Sequence, residues 1–592
     1  MKRLIKLLSF TVLLGSLLMI YSCSEEFLTK EPPGVAAGAV IQTPEGVEAL
    51  LVAAYERIQG QDMFGGCLAS EWTYSGGCSD DAYKGTSAGD QSNFNLLERY
   101  EALPNNPYLK ARWADAYDGV ARSNVVLDFL WETQKGAKPL PDARAKQVEA
   151  EAKFLRAWFH MELNRIFEKI PYILTLTELG DTKPEEVQNT DAGWDKVEAD
   201  LQFAIDNLPT TKINGEVGRI TKYIAEAVKA YAHLSQKEYA LAKPLLDDII
   251  NSTKFSLVSE FMYNYDMNHE NNTESIFELQ CSTTASSTSN VMGSGCNFHQ
   301  KGAASCGGWG FYQPSQNLFD AFQVDNNGLP VLDVAARVHL ATDMGKGSGD
   351  DFVPTNNLID PRVDFLIARR GVDFLGWGIH PGMDWIREPA NGGPFMTKIF
   401  MHRKDEQALN LNGSGFSNGK NYRIIRYANV LLWRAECAIE EGGAANLELA
   451  RTLINQVRTR AKTSTPVMGL CTSTKNLLTN PVVDYTKPAA NYKVEPYPVG
   501  SPVFATQTEA RKAVRDEIRL EFACGPWRFF DLRRWGILAE TLNAYIAQDI
   551  TYRSFLATGG LAVFNPTQDD YWPLPQDQID LQKGVLTQDP AY

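Results

Sequence analysis

Apolar residues recur at helical spacing along much of the chain. Between residues 143 and 168 they include Leu155, Phe159, Leu163 and Ile166. Positions three or four residues apart share one face of an α-helix, so this pattern predicts an amphipathic helix. The same pattern predicts further helices over residues 44–59, 111–133, 192–207, 219–235, 237–252, 426–441 and 446–461.

These helices are predicted to form four helix–turn–helix pairs. The pairs join 44–59 with 111–133, 143–168 with 192–207, 219–235 with 237–252, and 426–441 with 446–461. They resemble tetratricopeptide repeats, which stack to bury a shared core. A final helix is predicted to begin with a capping box, Thr506 and Glu509, and to run through Val514 and Ile518.

The remaining segments lack clear periodicity. Residues 60–110, about 258–425 and 462–505 are rich in Gly, Asn, Ser, Thr and Pro. Such composition predicts loops and short strands on the helical scaffold. Because loops on a rigid scaffold commonly carry binding residues, we expect the ligand site there.

The N-terminus has the pattern of a secretory signal. A basic start is followed by an apolar run from Leu7 to Ile20 and by Cys23, with Glu25 and Glu26 just beyond. A cysteine at this position resembles a bacterial lipoprotein signal, in which the chain is cut before the cysteine and acylated on it. We therefore predict a signal peptide over residues 1–22 and lipidation of Cys23. The alternative is an ordinary cleaved signal with an incidental cysteine.

Charge and cysteine content narrow the classes of partner and the disulfide bonds that the chain can have. The formal net charge is −15, and clusters of Lys and Arg are absent from the sequence, which argues against nucleic acid as a partner. No segment after the leader is apolar enough to span a membrane. Cys437 and Cys524 are predicted to be buried thiols. Disulfide pairing remains open among the five loop cysteines, Cys67, Cys78, Cys281, Cys296 and Cys306.

The sequence offers little support for a catalytic or a metal-binding motif. Gly415, Ser417 and Gly419 match the GxSxG nucleophile elbow, but they fall in a polar loop rather than between a strand and a helix, which indicates a chance match. The histidines, including His160, His299, His380 and His402, lack the spacing of a metal motif. No pair of carboxylates is marked as catalytic, we predict no cofactor, and no residue is assigned as a metal ligand, which leaves a bound metal open.

Three glycine-containing loops carry the candidate ligand-binding residues. Aromatic rings can stack on the apolar faces of sugars, while neighbouring polar groups accept or donate to the hydroxyls. In each case the alternative is that the aromatic ring anchors its loop to the scaffold. The candidates are Trp72, Tyr74, Asp81, Tyr83, Trp309, Tyr312, Trp377 and Trp385.

An ordered set of segments resembles the SusD/RagB family of outer-membrane nutrient-binding lipoproteins. The C-terminal Ala591 departs from the family pattern, which usually has glycine there. The similar segments are Cys23–Pro33, Trp113–Asn124, Glu151–Ala157, Gly218–Lys222, Pro314–Phe322, Asp360–Arg362, Arg426–Glu436, Arg515–Phe522, Trp527–Gly536 and Pro573–Tyr592.

The resemblance implies a mainly α fold, with tetratricopeptide-like helix pairs decorated by long loops and short strands. It implies one SusD-like domain over residues 23–592. Its helical scaffold is expected over about 40–257 and 426–461, with the C-terminal helix at 507–524. A loop-rich ligand-binding subdomain is expected over about 258–425 and 462–505.

The charged C-terminal motif has two interpretations. Arg515, Glu517, Arg519 and Glu521 alternate in sign along one predicted helix and can pair within and across its turns. One interpretation is an anion site. The favoured interpretation is a packed charged network that locks this helix to the repeats.

The resemblance also implies a function. Family members of this type are surface lipoproteins that bind oligo- or polysaccharide and deliver it to a SusC-like TonB-dependent porin in the outer membrane. We therefore expect a glycan-binding protein without catalysis. The alternatives are a surface glycoside hydrolase and a SusD-like binder of peptide cargo.

Overall fold

The structure, a computed structural model, describes residues 41–61, 64–281, 309–341, 343–409, 419–551 and 553–592. Helices dominate these ranges, as predicted. In chain order, α1 to α17 are Pro44–Tyr55, Ser92–Glu98, Pro107–Lys135, Asp142–Phe167, Leu176–Leu179, Trp194–Asn207, Lys222–Ser235, Tyr239–Asn251, Gln316–Ala321, Val363–Leu366, Pro389–Gly392, Tyr427–Glu441, Ala444–Thr463, Gln507–Glu521, Arg528–Arg534, Leu538–Asp549 and Gln576–Leu581.

The long helices form one continuous stack. All four predicted pairs are confirmed: α1 packs on α3, α4 on α6, α7 on α8, and α12 on α13. Further contacts join α3 to α4, α6 to α7, and α8 to α12, so the pairs share a core. At Gly119 of α3, an added Cβ would lie 2.6 Å from the Phe159 ring, which shows how closely α3 and α4 approach.

The loop-rich segments contain short antiparallel strands that pair in twos. Each pair joins segments that are distant in sequence or separated by a long loop. The strands, β1 to β8 in chain order, are Ala82–Gly85, Ser275–Leu279, Phe311–Pro314, Ile367–Ala368, Met396–Thr397, Tyr422–Arg426, Met468–Cys471 and Val483–Pro488. Within the described residues, β1 pairs with β3, β2 with β6, β4 with β5, and β7 with β8.

Helix ends follow local chemistry, with one departure from prediction. Gly442, at φ +72°, ends α12, because glycine adopts this backbone conformation without a steric cost. Thr506 accepts a hydrogen bond from the Glu509 amide at 3.3 Å, which is one half of the predicted capping box. The Glu509 carboxylate instead pairs with Lys512 at 2.8 Å. The reciprocal half of the box is therefore missing.

A buried ionic cluster lies where α12, α13 and α14 meet the loop-rich segments. Glu521 of α14 accepts hydrogen bonds from Arg362, Arg426 and Arg460. Arg426 and Arg460 also share Glu274, at 2.6 and 2.9 Å. We call these five residues the Glu521 cluster; all are at most 4 % exposed.

The cluster extends one turn back along α14. Glu517 accepts from Arg362 at 2.7 Å and from Arg458 of α13 at 2.8 Å. Asp360 binds the remaining face of the Arg362 guanidinium. The favoured prediction of a packed charged network is confirmed, but its carboxylates pair with arginines of other elements rather than within α14.

Among the described cysteines, Cys67, Cys78, Cys281, Cys437 and Cys471 are free thiols. Cys437 and Cys524 are buried, as predicted, although Cys524 lies after the end of α14. Cys67, Cys78 and Cys281 are also unpaired, so no disulfide joins these three. Cys23, Cys296, Cys306 and Ser417 lie outside the described residues.

Among the described helices, none is both long enough and apolar enough to cross a membrane.

We predict that Glu521→Gln lowers the free energy of unfolding by about 3–5 kcal/mol at pH 7, because three buried arginines lose the carboxylate that they share and keep fewer negative partners. Burial would raise the pKa of Glu521, but the guanidinium groups of Arg460, Arg426 and Arg362 lower it to about 2. Because this pKa is lower in the folded chain, the stabilisation is complete above about pH 4.5 and is lost as the pH falls towards 2. The difference between wild type and variant should therefore shrink across that window.

Urea denaturation at a series of pH values measures this difference. Glu448→Gln is the matched control, because Glu448 forms an exposed pair with Arg451 and should leave stability unchanged. A difference between wild type and Glu521→Gln that is small at pH 7, or that does not vary with pH, would contradict the assigned role of the cluster.

Candidate functional site

Seven of the eight predicted ligand-binding residues lie inside the protein. Trp309 is the exception, with 44 % of its surface exposed. Each of the others is at most 6 % exposed, namely Trp72, Tyr74, Asp81, Tyr83, Tyr312, Trp377 and Trp385. Their ring faces and polar atoms are covered by protein, so the anchoring alternative describes their position in this structure.

Trp72 belongs to an aromatic cluster beneath the loops. Its ring meets those of Phe94, Tyr312 and Phe64 edge-on, with centroids 5.2, 5.5 and 5.8 Å apart. The Tyr74 hydroxyl donates to the Tyr108 carbonyl at 2.9 Å. These contacts attach residues 71–78 to the main core.

Asp81 and Tyr83 take part in buried ionic contacts. Asp81 accepts from Arg519 of α14 at 3.0 Å. The Tyr83 hydroxyl donates to Asp549, and the Arg553 guanidinium lies 3.5 Å from the centre of its ring. Both residues therefore connect β1 to the C-terminal helices.

Trp377 and Trp385 form a small second core. Trp385 packs edge-on to Phe374 at 6.1 Å, and the Trp377 indole N–H donates to the His402 carbonyl at 3.2 Å. The predicted loop is therefore folded around its own aromatic residues. Residues of this type in a glycine-rich segment serve a core and a surface platform equally well, which is why the sequence did not separate the two.

Trp309 stands at the end of the β1–β3 pair. Gly85 is opposite Phe311 in the register, so the loop after β1 and the residues before β3 emerge together. The Thr86 amide donates to the Gly310 carbonyl at 2.6 Å. The loop that follows Thr86 is thereby held beside Trp309.

The loop after β1 has an uncommon backbone. Gly85, Thr86 and Gln91 all have positive φ, at 78°, 53° and 53°. The Lys84 ammonium stabilises this conformation by donating to the carbonyls of Ser87 and Asp90, at 3.0 and 2.6 Å. Burial lowers the pKa of Lys84 to about 8. Strained loops held in this way are often found at functional sites.

Arg387 connects this loop to Trp309. Its guanidinium lies 5.7 Å from the centre of the Trp309 ring and donates to Thr86 and Asp90, at 2.8 and 2.7 Å. Glu388 accepts from the Ala88 amide at 2.7 Å. We call Trp309, Thr86, Asp90, Arg387 and Glu388 the Trp309 patch.

The patch combines one exposed aromatic side chain with positively and negatively charged hydrogen-bonding groups. Asp90 and Arg387 are partly exposed, with 21 % and 29 % of their side chains accessible. A ligand on Trp309 would therefore lie beside a fixed guanidinium and two carboxylates. Sequence patterns do not mark Thr86, Asp90, Arg387 and Glu388 as site residues, since about 220 residues separate the first two of the three chain segments and about 80 separate the last two.

A cleft of about 550 Å³ lies elsewhere in the loop-rich region. It is lined by Tyr263 and His269, whose rings stack 3.5 Å apart, and by charged residues that include Asp373 and Arg403. Because the two rings cover each other, this cleft offers a ligand less aromatic surface than Trp309 does.

Comparison with known proteins shows which family profiles and which relative this chain resembles over most of its length. A profile described as SusD family matches residues 273–592, and one described as "Starch-binding associating with outer membrane" matches residues 26–236. SusD-like protein P25 from Formosa agariphila is 24 % identical, covering 96 % of this chain and 97 % of its own length.

Solved structures agree in fold. Surface glycan-binding protein A from Bacteroides thetaiotaomicron, in complex with laminarihexaose, superposes with a TM-score of 0.65 at 20 % identity, covering 93 % of this chain and all of the other. A laminarin-binding SusD-like protein gives 0.63 at 20 % identity, with the same coverage.

We predict that Tyr83→Phe lowers the free energy of unfolding by about 1–3 kcal/mol, because the buried Asp549 loses a hydrogen-bond donor. Chemical denaturation measures this loss, with the exposed Tyr485→Phe as the control. An unchanged stability combined with weakened ligand binding would instead make Tyr83 a ligand contact.

Proposed function

This chain belongs to the SusD family, and from that membership we propose that it captures oligo- or polysaccharide at the Trp309 patch without catalysing a reaction. The observation that carries the proposal is the position of Trp309. Among the eight candidate residues it is the one that is substantially exposed, and Arg387, which binds Asp90, lies 5.7 Å from its ring centre.

The chemistry of the patch suits a sugar. The C–H face of a pyranose ring can stack on the indole, and the guanidinium and carboxylates can bind its hydroxyl groups. Asp90 already pairs with Arg387, so the patch carries no excess positive charge. The lack of excess positive charge favours an uncharged sugar over a polyanionic one. The glycan ligands of the two solved relatives support the same ligand class.

The proposal includes a membrane location. A lipid on Cys23 would hold the mature chain, residues 23–592, at the outer surface of the outer membrane, since each buried methylene contributes about 0.8 kcal/mol. The family description of the N-terminal match supports association with that membrane. The helical stack is the proposed scaffold, and the segments at about 258–425 and 462–505 are the proposed ligand-binding subdomain.

The proposal also includes a partner. In this proposal the captured glycan passes to a transporter, and the family resemblance indicates a SusC-like TonB-dependent porin. The folded surface of the chain would contact the porin, and the lipid anchor would keep the two proteins in the same membrane.

We predict that Trp309→Ala weakens glycan binding by about 5- to 150-fold, because stacking of one ring on an aromatic side chain contributes about 1–3 kcal/mol. Calorimetry of the chain from residue 24 onward, against neutral and anionic polysaccharides, measures the effect. Tyr485→Ala is the matched control, since Tyr485 is an exposed aromatic residue on β8 outside the patch.

The outcomes separate the alternatives. Loss of binding in Trp309→Ala alone supports the patch, whereas unchanged binding moves the site to the cleft around Tyr263 and His269. Release of reducing sugar by the wild type would favour a hydrolase. Binding of peptides but of no polysaccharide would favour peptide cargo.

We predict that the full chain co-purifies with a large β-barrel protein when outer membranes are solubilised in mild detergent. Cys23→Ser should remove the lipid and shift the chain to the soluble fraction, because the anchor is lost. Mass spectrometry identifies the partner and the acyl group. A wild-type chain that is unacylated, or that migrates alone, would contradict the proposal.

A further inference from the structure

Three helices of the scaffold converge on a group of potential metal ligands. Glu198 lies in α6, His233 in the last turn of α7, and Glu238 at the N-cap of α8. One carboxylate oxygen of each glutamate and the histidine Nδ1 all lie within 4.8 Å of one another. The site is remote in sequence from the loops that carry the Trp309 patch.

The histidine is held in position. Its side chain is 5 % exposed, and its Nδ1 atom faces Glu238 at 2.8 Å and Glu198 at 3.6 Å. The Glu238 amide donates to the His233 carbonyl at 2.8 Å, which closes the turn between α7 and α8. Lys237 in this turn has a φ of +63°, a conformation that a non-glycine residue adopts at a cost.

The charges are not balanced by protein cations. Among the described residues, no lysine or arginine lies within ion-pair distance of Glu198 or Glu238. The Lys229 ammonium acts on Glu198 at longer range, but it donates to Gln202 at 2.7 Å. Gln236 donates a neutral amide to Glu198 at 2.7 Å. Two carboxylates therefore share one imidazole.

We propose that Glu198, His233 and Glu238 bind a divalent transition-metal ion, of which zinc is the representative. Imidazole nitrogen and carboxylate oxygen are both zinc ligands, and three protein ligands leave a position for water. Ligands at about 2.0–2.1 Å from a tetrahedral ion lie roughly 3.3 Å apart. This distance falls between the 2.8 and 3.6 Å that separate the His233 Nδ1 atom from the Glu238 and Glu198 oxygens. The ion would crosslink α6, α7 and α8 and stabilise the folded chain, since it binds the native state.

Titration of the chain from residue 24 onward with zinc chloride tests the proposal. Calorimetry should show one ion per chain at micromolar affinity, with the melting temperature rising as free zinc increases. Glu238→Gln keeps the size of the side chain but removes a ligand charge, and it should weaken binding by about 10–100-fold. His233→Ala should abolish binding.

His269→Ala is the matched control, because His269 pairs with Asp266 in a partly exposed site to which the described residues add no third metal ligand. This variant should bind zinc as the wild type does. Circular dichroism verifies the fold of each variant. Wild-type binding weaker than about 100 μM, or equal affinity in folded Glu238→Gln, would overturn the proposal and leave the cluster as a hydrogen-bonded end of α7.

Discussion

The Glu521 cluster is the interaction on which the rest of the structure depends. Its arginines come from the helical stack and from the loop-rich segments, and one carboxylate of α14 joins them. Buried ion pairs add little stability over apolar packing, but their geometry is specific, and an unpaired member is costly. The cluster therefore fixes where the loops attach to the helices, which packing of small apolar side chains alone would specify less strictly.

The same principle extends to the candidate binding surface. Asp81 pairs with Arg519 on α14, and Tyr83 is enclosed by Asp549 and Arg553. These contacts fix β1, and β1 fixes β3 beside it. The strained loop and Trp309 project from the end of this strand pair. The side chains and loops of such a binding surface are already ordered before a ligand binds. This lowers the entropic cost of binding.

Sequence patterns predicted the scaffold better than the site. The four helix pairs follow from apolar spacing, because a helix repeats every 3.6 residues and its buried face is visible locally. Aromatic residues in glycine-rich loops carry no comparable signal. Trp72 and Trp309 each have an aromatic residue two positions further along the chain, yet one packs against Phe94 and the other is partly exposed to solvent. The capping box predicted at Thr506 forms only in part, since the Glu509 carboxylate pairs with Lys512 instead of the Thr506 amide.

The sequence by itself determined the helical class, the pairing of neighbouring helices, the buried thiols of Cys437 and Cys524, and the resemblance to the family. Each of these depends on local spacing or on an ordered set of motifs. Only the tertiary structure decided which aromatic ring is exposed, which arginine each carboxylate of α14 binds, and that Thr86, Trp309 and Arg387 meet. Those outcomes depend on contacts between residues that are tens to hundreds of positions apart. No local period encodes such contacts, because they form only when the whole core is packed.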